Sequence, residues 1–247
     1  MLNVRLDFPV AVVTISRPER RNALGAELVL KLGSALRDLD RRDEIRAVLL
    51  EGSPPGFCAG SDLKELASMS LAEMCDHEAE TAAFARSIPY LSKPVIAAVE
   101  GFAIGGGFAL ATSCDLVVTH PESHWHLTEV KIGWIPPWGL EPLTARIGPV
   151  RARRLTWGSE PINGTEAFQL GVVDYLAPVG KVMDQAVALG RGLAELPAPA
   201  VAATKRYYAP LVAGTAEARD QEANRLFSEN CQHETAKATL TKFGVRI

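Results

Sequence analysis

Short apolar runs alternate with amphipathic stretches along the first half of the chain, and this alternation constrains the fold most strongly. Residues 46–52 are mostly aliphatic and end in glycine, which is typical of a buried parallel strand. Before them, leucines recur at helical spacing over residues 24–39, which predicts an amphipathic helix. Two more strands are predicted at Val95–Val99 and Leu116–Thr119. Strands that alternate with helices in this way indicate an α/β fold.

The two ends of the chain differ in character. Residues 4–8 and 11–16 predict a hairpin, whereas the segment after Gly139 is mostly helical and keeps one strand at 172–176. Residues 199–243 are predicted to be helical with breaks near Pro210 and Gly214, and the glycine segment 101–107 is predicted to be a loop. The remaining predicted helices are 71–87, 108–113, 140–147, 150–158, 164–170 and 179–196.

The charge balance and the apolar segments exclude several classes of partner. The 247 residues include 26 basic and 29 acidic side chains, which argues against nucleic acid as the main partner. The most hydrophobic region, 94–118, contains Glu100 and Asp115, so no membrane span is predicted. The first residues lack the features of a secretory signal, and the four cysteines are widely spaced. We therefore expect a cytoplasmic protein with reduced thiols and no metal site.

Three consecutive glycines, Gly105 to Gly107, lie between a predicted strand and a predicted helix. Glycines at such a point let the backbone approach a ligand closely and direct N–H groups outward at the helix start. This is what an oxyanion hole requires, but the same glycines would also permit tight packing of the helix on the sheet. The segment is not a P-loop, because no Gly-Lys-Ser sequence follows it.

A second glycine site, formed by Gly60, Ser61 and Asp62, precedes a short predicted helix. Together the two sites could supply the two N–H donors that stabilise an oxyanion. The simpler interpretation is that Ser61-Asp62 forms a helix N-cap. The two interpretations are compatible, because a cap also fixes the direction of the neighbouring amides.

Glu129 is the one carboxylate in a segment that contains three tryptophans, Trp125, Trp134 and Trp138. An apolar environment disfavours the charged form of a carboxyl group and raises its pKa towards the range that suits a general acid or base. The alternative is a surface glutamate that pairs with Lys131.

Several segments together resemble the crotonase, or enoyl-CoA hydratase/isomerase, superfamily. They are residues 17–24, 57–63, 93–101, 105–107 and 114–116, in the order and spacing of that family, and the resemblance covers essentially the whole chain. It implies a spiral of ββα turns with two roughly perpendicular sheets flanked by helices. It also implies a spiral core over 1–195, a C-terminal helical trimerisation region over 196–247, and a homotrimer or a dimer of trimers.

The resemblance further implies acyl thioesters of coenzyme A as substrates, with coenzyme A as part of the substrate and no permanently bound cofactor. By the family pattern the backbone amides of Ser61 and Gly106 bind the thioester oxygen, and Glu129 is the acid/base. The expected contacts with substrate and coenzyme A are Arg20, Arg21, Ser61, Asp62, Leu63, Lys64, Gly106, Gly107, Trp134 and Trp138.

One position departs from the pattern of the two-glutamate hydratases. Their first glutamate follows the third glycine by two residues, where this chain has Ala109. A single base suffices to move a double bond from C3 to C2, so the sequence favours a 3,2-enoyl-CoA isomerase. The alternatives are an enoyl-CoA hydratase, a hydroxycinnamoyl-CoA hydratase-lyase, and a weakly catalytic or inactive acyl-CoA-binding protein. Replacement of the missing carboxylate by Glu141 or a histidine is left open.

Overall fold

Two β-sheets form the centre of the computed structural model, which describes residues 1–158 and 160–243. The strands are β1 Leu2–Asp7, β2 Val10–Ile15, β3 Ala47–Gly52, β4 Val95–Val99, β5 Phe102–Ile104, β6 Leu116–Thr119, β7 His124–His126, β8 Ile162–Asn163 and β9 Tyr175–Leu176. The helices are α1 Ala26–Asp40, α2 Leu63–Leu66, α3 Leu71–Ser87, α4 Gly106–Ser113, α5 Leu140–Ile147, α6 Pro149–Thr156, α7 Gly164–Leu170, α8 Val182–Ala194, α9 Ala198–Ala213, α10 Ala216–Asn230 and α11 Glu234–Phe243.

The larger sheet has six strands in the order β1-β2-β3-β4-β6-β9. β1 and β2 form the predicted antiparallel hairpin, and every other neighbouring pair is parallel. All five residues of β4 are buried, as the unbroken aliphatic sequence predicts for a parallel strand covered on both faces. The predicted alternation of strand and helix is therefore confirmed for this sheet.

The smaller sheet was not predicted in full. β5 pairs with β7 in parallel, and β7 pairs with β8. The prediction of a loop over 101–107 is wrong for β5, and no strand was predicted at β8. Strands of two or three residues are too short to show a period, so the apolar pattern cannot reveal them. This sheet matters for function because β5 leads directly into the three glycines.

Helices cover both faces of the six-stranded sheet. α8 packs on one face through Val182, Ala186 and Gly190, while α1 contributes its leucine face to the main core on the other. Burial of these apolar side chains contributes about 25 cal/mol for each Å² removed from water. The amphipathic pattern of residues 24–39 is thus explained by its packing against the sheet.

The three C-terminal helices pack back onto the rest of the chain. The predicted break at Pro210 is wrong, because Pro210 lies inside α9, whereas the break near Gly214 is confirmed. α10 packs along α3, where Arg86 and Asp220 form an ion pair at 2.8 Å. A role of these helices in trimerisation stays a prediction. Within the described residues no helix combines the length and apolar character needed to cross a bilayer.

Candidate active site

The two glycine sites identified in the sequence lie side by side in the structure. Cys58 forms a parallel bridge with Ala103 of β5, which aligns the first glycine segment with the second. A Cβ placed on Gly60 would lie 3.0 Å from the amide nitrogen of Gly106, and one on Gly106 would lie 3.6 Å from the amide nitrogen of Ser61. The two proposed amide donors therefore border one small space.

Both amides are free to bind a ligand. Leu24 donates to the Gly60 carbonyl at 2.8 Å and accepts from the Asp62 amide at 2.9 Å. Successive amides in an extended segment point to opposite sides, so the Ser61 N–H points away from Leu24. Gly106 is the first residue of α4, and the first amides of a helix have no acceptor within it. The backbone thus presents two N–H donors that its own hydrogen bonds do not use.

Packing and amide presentation depend on the same glycines. A side chain on Gly107 would overlap the carbonyl of Cys58 and force the two segments apart. Gly105 has a φ of +54°, and a Cβ there would lie 2.7 Å from Oε1 of Glu129. The structure therefore supports both interpretations of the triple glycine, because the close packing brings the amides together.

Glu129 lies against this segment and is almost completely buried. The residue is 8% exposed, and its Oε2 atom is buried without a hydrogen-bond partner. Burial, assisted by the nearby negative charge of Glu78, raises the pKa of the Glu129 carboxyl to about 7. The alternative of a surface glutamate paired with Lys131 is wrong. A carboxyl with this pKa can both accept and return a proton near neutral pH.

Ala109 lies on α4, one turn from the glycines, and is also buried. Its methyl group packs on Gly139, where an added Cβ would lie 2.5 Å from the Ala109 Cβ. Gly139 has a φ of +79° and precedes α5. The Ala109 side chain thus makes an apolar contact here and offers no group for proton transfer. Glu141, the other candidate, accepts from the hydroxyl and the amide of Thr215.

The sequence motifs gave no indication of Glu78, a second buried carboxylate at the site. It lies on α3 with an exposure of 3% and accepts hydrogen bonds at 2.7 Å from the Ser61 hydroxyl and the Trp138 indole. Met74 and Ala82, one turn before and one turn after it, are also buried. A carboxylate on the buried face of a predicted helix was the available signal.

The three tryptophans have different surroundings. The Trp138 indole lies over Gly106, where an added Cβ would be 3.1 Å from its Cζ2 atom. Trp134 packs edge-to-face on Phe227 of α10 with ring centroids 5.8 Å apart. Trp125 is fully buried and donates to Ser123 at 2.9 Å. Only Trp138 among the three is thus placed directly against the paired amides.

The residues expected along coenzyme A fall into two groups. Asp62 is the N-cap of α2, as the simpler interpretation predicted, and its carboxylate also binds Arg17 at 2.8 Å. Leu63 packs on the apolar cluster beneath the C-terminal helices, and Gly107 packs on Cys58. These side chains have structural partners that account for their positions.

The candidate cations are more accessible. Arg21 is exposed, with its guanidinium 4.6 Å from the ring centroid of Phe102, and Lys64 is exposed at the start of α2. Arg20 keeps a buried Nη1 atom that has no hydrogen-bond partner. Their contacts with coenzyme A phosphates stay predictions. No group of three His, Cys, Asp or Glu side chains suited to a metal ion occurs in the described ranges 1–158 and 160–243.

The buried Glu129 should make the stability of the protein depend on pH. Its pKa is about 7 in the folded chain and ordinarily 4.5, so the folded form binds the proton more tightly and the free energy of unfolding falls as the pH rises from 4.5 to 7. Glu129→Gln removes the free-energy cost of burying an ionised carboxylate. We expect the variant to gain up to about 3 kcal/mol at pH 8 and little at pH 4.5. Urea unfolding at the two pH values measures this, and an equal gain at both would contradict it.

Two amide donors beside a buried carboxyl with a near-neutral pKa define a site that can stabilise an oxyanion and transfer a proton. Residues 7–245 match the family model described as enoyl-CoA hydratase/isomerase. The chain belongs to the enoyl-CoA hydratase/isomerase family.

Known relatives agree with this assignment. The chain is 36% identical over 189 residues to a Thermus thermophilus protein whose name describes it as an enoyl-CoA hydratase, covering 75% of each chain. It resembles the crystal structure of an enoyl-CoA hydratase from Mycobacterium avium subsp. paratuberculosis, with a TM-score of 0.86, 25% identity and 97% coverage of both chains. An enoyl-CoA hydratase/isomerase structure from Pseudoalteromonas atlantica gives a TM-score of 0.86 at 26% identity, covering 98% of this chain and 96% of the other.

These findings confirm the crotonase superfamily and the fold class, a mixed α/β structure with two sheets flanked by helices and a helical C-terminal region. The chain is an enzyme of this family by its relatives. Their names do not separate the isomerase reaction from hydration for this chain.

Proposed function

We propose that this enzyme converts 3-enoyl-CoA thioesters into 2-enoyl-CoA thioesters through an enolate held by the amides of Ser61 and Gly106. The supporting observation is the buried carboxyl of Glu129, which has an unpartnered oxygen and lies against Gly105. By the family resemblance, the first glutamate of the two-glutamate hydratases corresponds to Ala109, which supports a reaction that needs one carboxyl.

The proposed reaction transfers one hydrogen and consumes no water. The ionised Glu129 removes a proton from C2, and the electron pair forms a C1–C2 double bond while negative charge develops on the thioester oxygen. The two amides stabilise that charge, since preorganised donors act on charge as it develops. Protonation at C4 by the same carboxyl then forms the C2–C3 double bond and regenerates the ionised Glu129.

Hydration of a 2-enoyl thioester is the second candidate. The relatives from Thermus thermophilus and Mycobacterium avium are named as hydratases, and Glu78 is a further buried carboxylate at the site. Each oxygen of Glu78, however, already accepts a hydrogen bond from Ser61 or Trp138. It is therefore a poorer base for activating water than an unpartnered carboxylate would be.

A substrate panel separates these functions. We expect the purified protein to isomerise a 3-enoyl-CoA faster than it hydrates the matching 2-enoyl-CoA, with products followed by chromatography. Faster hydration would reverse the assignment. A feruloyl thioester tests the hydratase-lyase alternative through release of an aldehyde. Binding of acyl-CoA without turnover of any member of the panel would identify an inactive thioester-binding protein.

A further inference from the structure

Glu78 binds side chains on both sides of the proposed oxyanion site, those of Ser61 and Trp138. Its Oε1 atom accepts from the hydroxyl of Ser61, whose amide is the first proposed donor, at 2.7 Å. Its Oε2 atom accepts from the indole of Trp138, also at 2.7 Å, and that indole lies over Gly106, the second donor. One carboxylate thus binds the side chain of the first donor residue and the indole that lies over the second.

The fold gives Glu78 a rigid base for this contact. It lies in the middle of α3, a helix of 17 residues whose N-terminus is closed by a capping box of Ser70 and Glu73. α10 packs along the same helix. Because Ser61 and Trp138 belong to separate loops, a shared acceptor on a rigid helix restricts their motion relative to each other.

We propose that Glu78 is a positioning residue that fixes Ser61 and Trp138 around the thioester oxygen, with its negative charge acting on Glu129. This inference rests on the proposed function, since it assigns a role in the same site.

The hydrogen-bond partners that the structure describes for Glu78, the Ser61 hydroxyl and the Trp138 indole, are both neutral. Burial raises the pKa of the Cys75 and Cys231 thiols, the latter to about 12, and the charge of Glu78 adds to both effects. On the neighbouring segments Asp62 and Asp220 are paired with Arg17 and Arg86, each at 2.8 Å. The charge of Glu78 therefore acts on Glu129, where it helps to raise the pKa of that carboxyl.

The test compares Glu78→Gln with Ser61→Ala in the full-length enzyme. Gln is nearly isosteric but is neutral, and its amide nitrogen cannot accept from a donor. We expect Glu78→Gln to lower kcat by about 10-fold to 100-fold through mispositioning. We also expect the acidic limb of kcat/KM, near pH 7 in the wild type, to move to lower pH because Glu129 then ionises more easily. Ser61→Ala keeps the charge and the backbone amide, and its limb should stay in place.

A merely structural role would lower kcat without moving the limb. An acidic limb that stays near pH 7 in Glu78→Gln would therefore overturn the proposal, whatever happens to kcat. If Glu78→Gln does not fold, Glu78→Asp keeps the charge while shortening the side chain. It should then lower kcat with the limb unmoved, and a limb shifted to lower pH would count against the proposal.

Glu129→Gln, measured in parallel, distinguishes a failure of the proposed function from a failure of the role given to Glu78. Full turnover in Glu129→Gln would contradict the proposed function itself. Loss of turnover in Glu129→Gln, together with a wild-type pH profile in Glu78→Gln, would contradict only the role of Glu78.

Discussion

Glu129→Gln should lower kcat for double-bond isomerisation by about 10²-fold to 10⁴-fold, the range typical of losing a general acid/base. The reason is that Gln keeps the size and burial of the side chain but cannot accept a proton from C2. Because Glu129 is proposed to carry out both proton transfers, neither half of the reaction should survive. Steady-state turnover of a 3-enoyl-CoA at pH 8 measures the effect, since the wild-type carboxyl is then mostly ionised.

Glu51→Gln is the matched control for this experiment. Glu51 is a partly buried carboxylate in β3 that accepts from the Thr14 hydroxyl at 2.7 Å, and it is assigned no role in catalysis. We expect its turnover to remain within about threefold of the wild type, as for a side chain outside the reacting groups. Equal losses in the two variants would show that the effect of Glu129→Gln is structural.

Gly106→Pro should cost about 10²-fold to 10³-fold in kcat, the usual effect of removing one oxyanion-hole donor. Proline has no N–H, so this substitution deletes the second proposed donor from the backbone. Gly106 is the first residue of α4, a position where helices accept proline because the missing N–H has no helical acceptor. Turnover and acyl-CoA affinity should be measured together, because a donor that acts on developing charge affects kcat more than binding.

Gly106→Ala separates the donor from the space around it. Alanine keeps the N–H but adds a Cβ that would lie 3.1 Å from the Trp138 indole, so some loss is expected from crowding alone. The proline variant should be at least about tenfold slower than the alanine variant. Equal activities would show that the amide of Gly106 is not a donor to the thioester oxygen.

The strands of the larger sheet, the main helices and the paired glycine sites could be predicted because they follow from local pattern. The unbroken aliphatic sequence of β4 and the leucine spacing of α1 reflect burial against the sheet, which the sequence records residue by residue. Glu129 could be identified because it is the one carboxylate in a segment rich in tryptophan.

Contacts between distant segments could not be predicted in the same way. Glu78 reaches Ser61 and Trp138 from 17 and 60 residues away in the sequence, so no local motif contains the contact. The division of the tryptophans between core and site also depends on the path of the chain after β7. The sequence predicts a helix break near Pro210, but Pro210 lies inside α9, which continues to Ala213.

Hydrogen exchange at C2 of a saturated acyl-CoA in D₂O tests the central claim most directly, because it requires only enolate formation and no double bond. We expect the wild type to exchange hydrogen at C2, as followed by mass spectrometry and NMR. Glu129→Gln should exchange at least about 100-fold more slowly, because the general base is lost. Exchange at the wild-type rate in Glu129→Gln would contradict the assignment of Glu129 as the acid/base of this site.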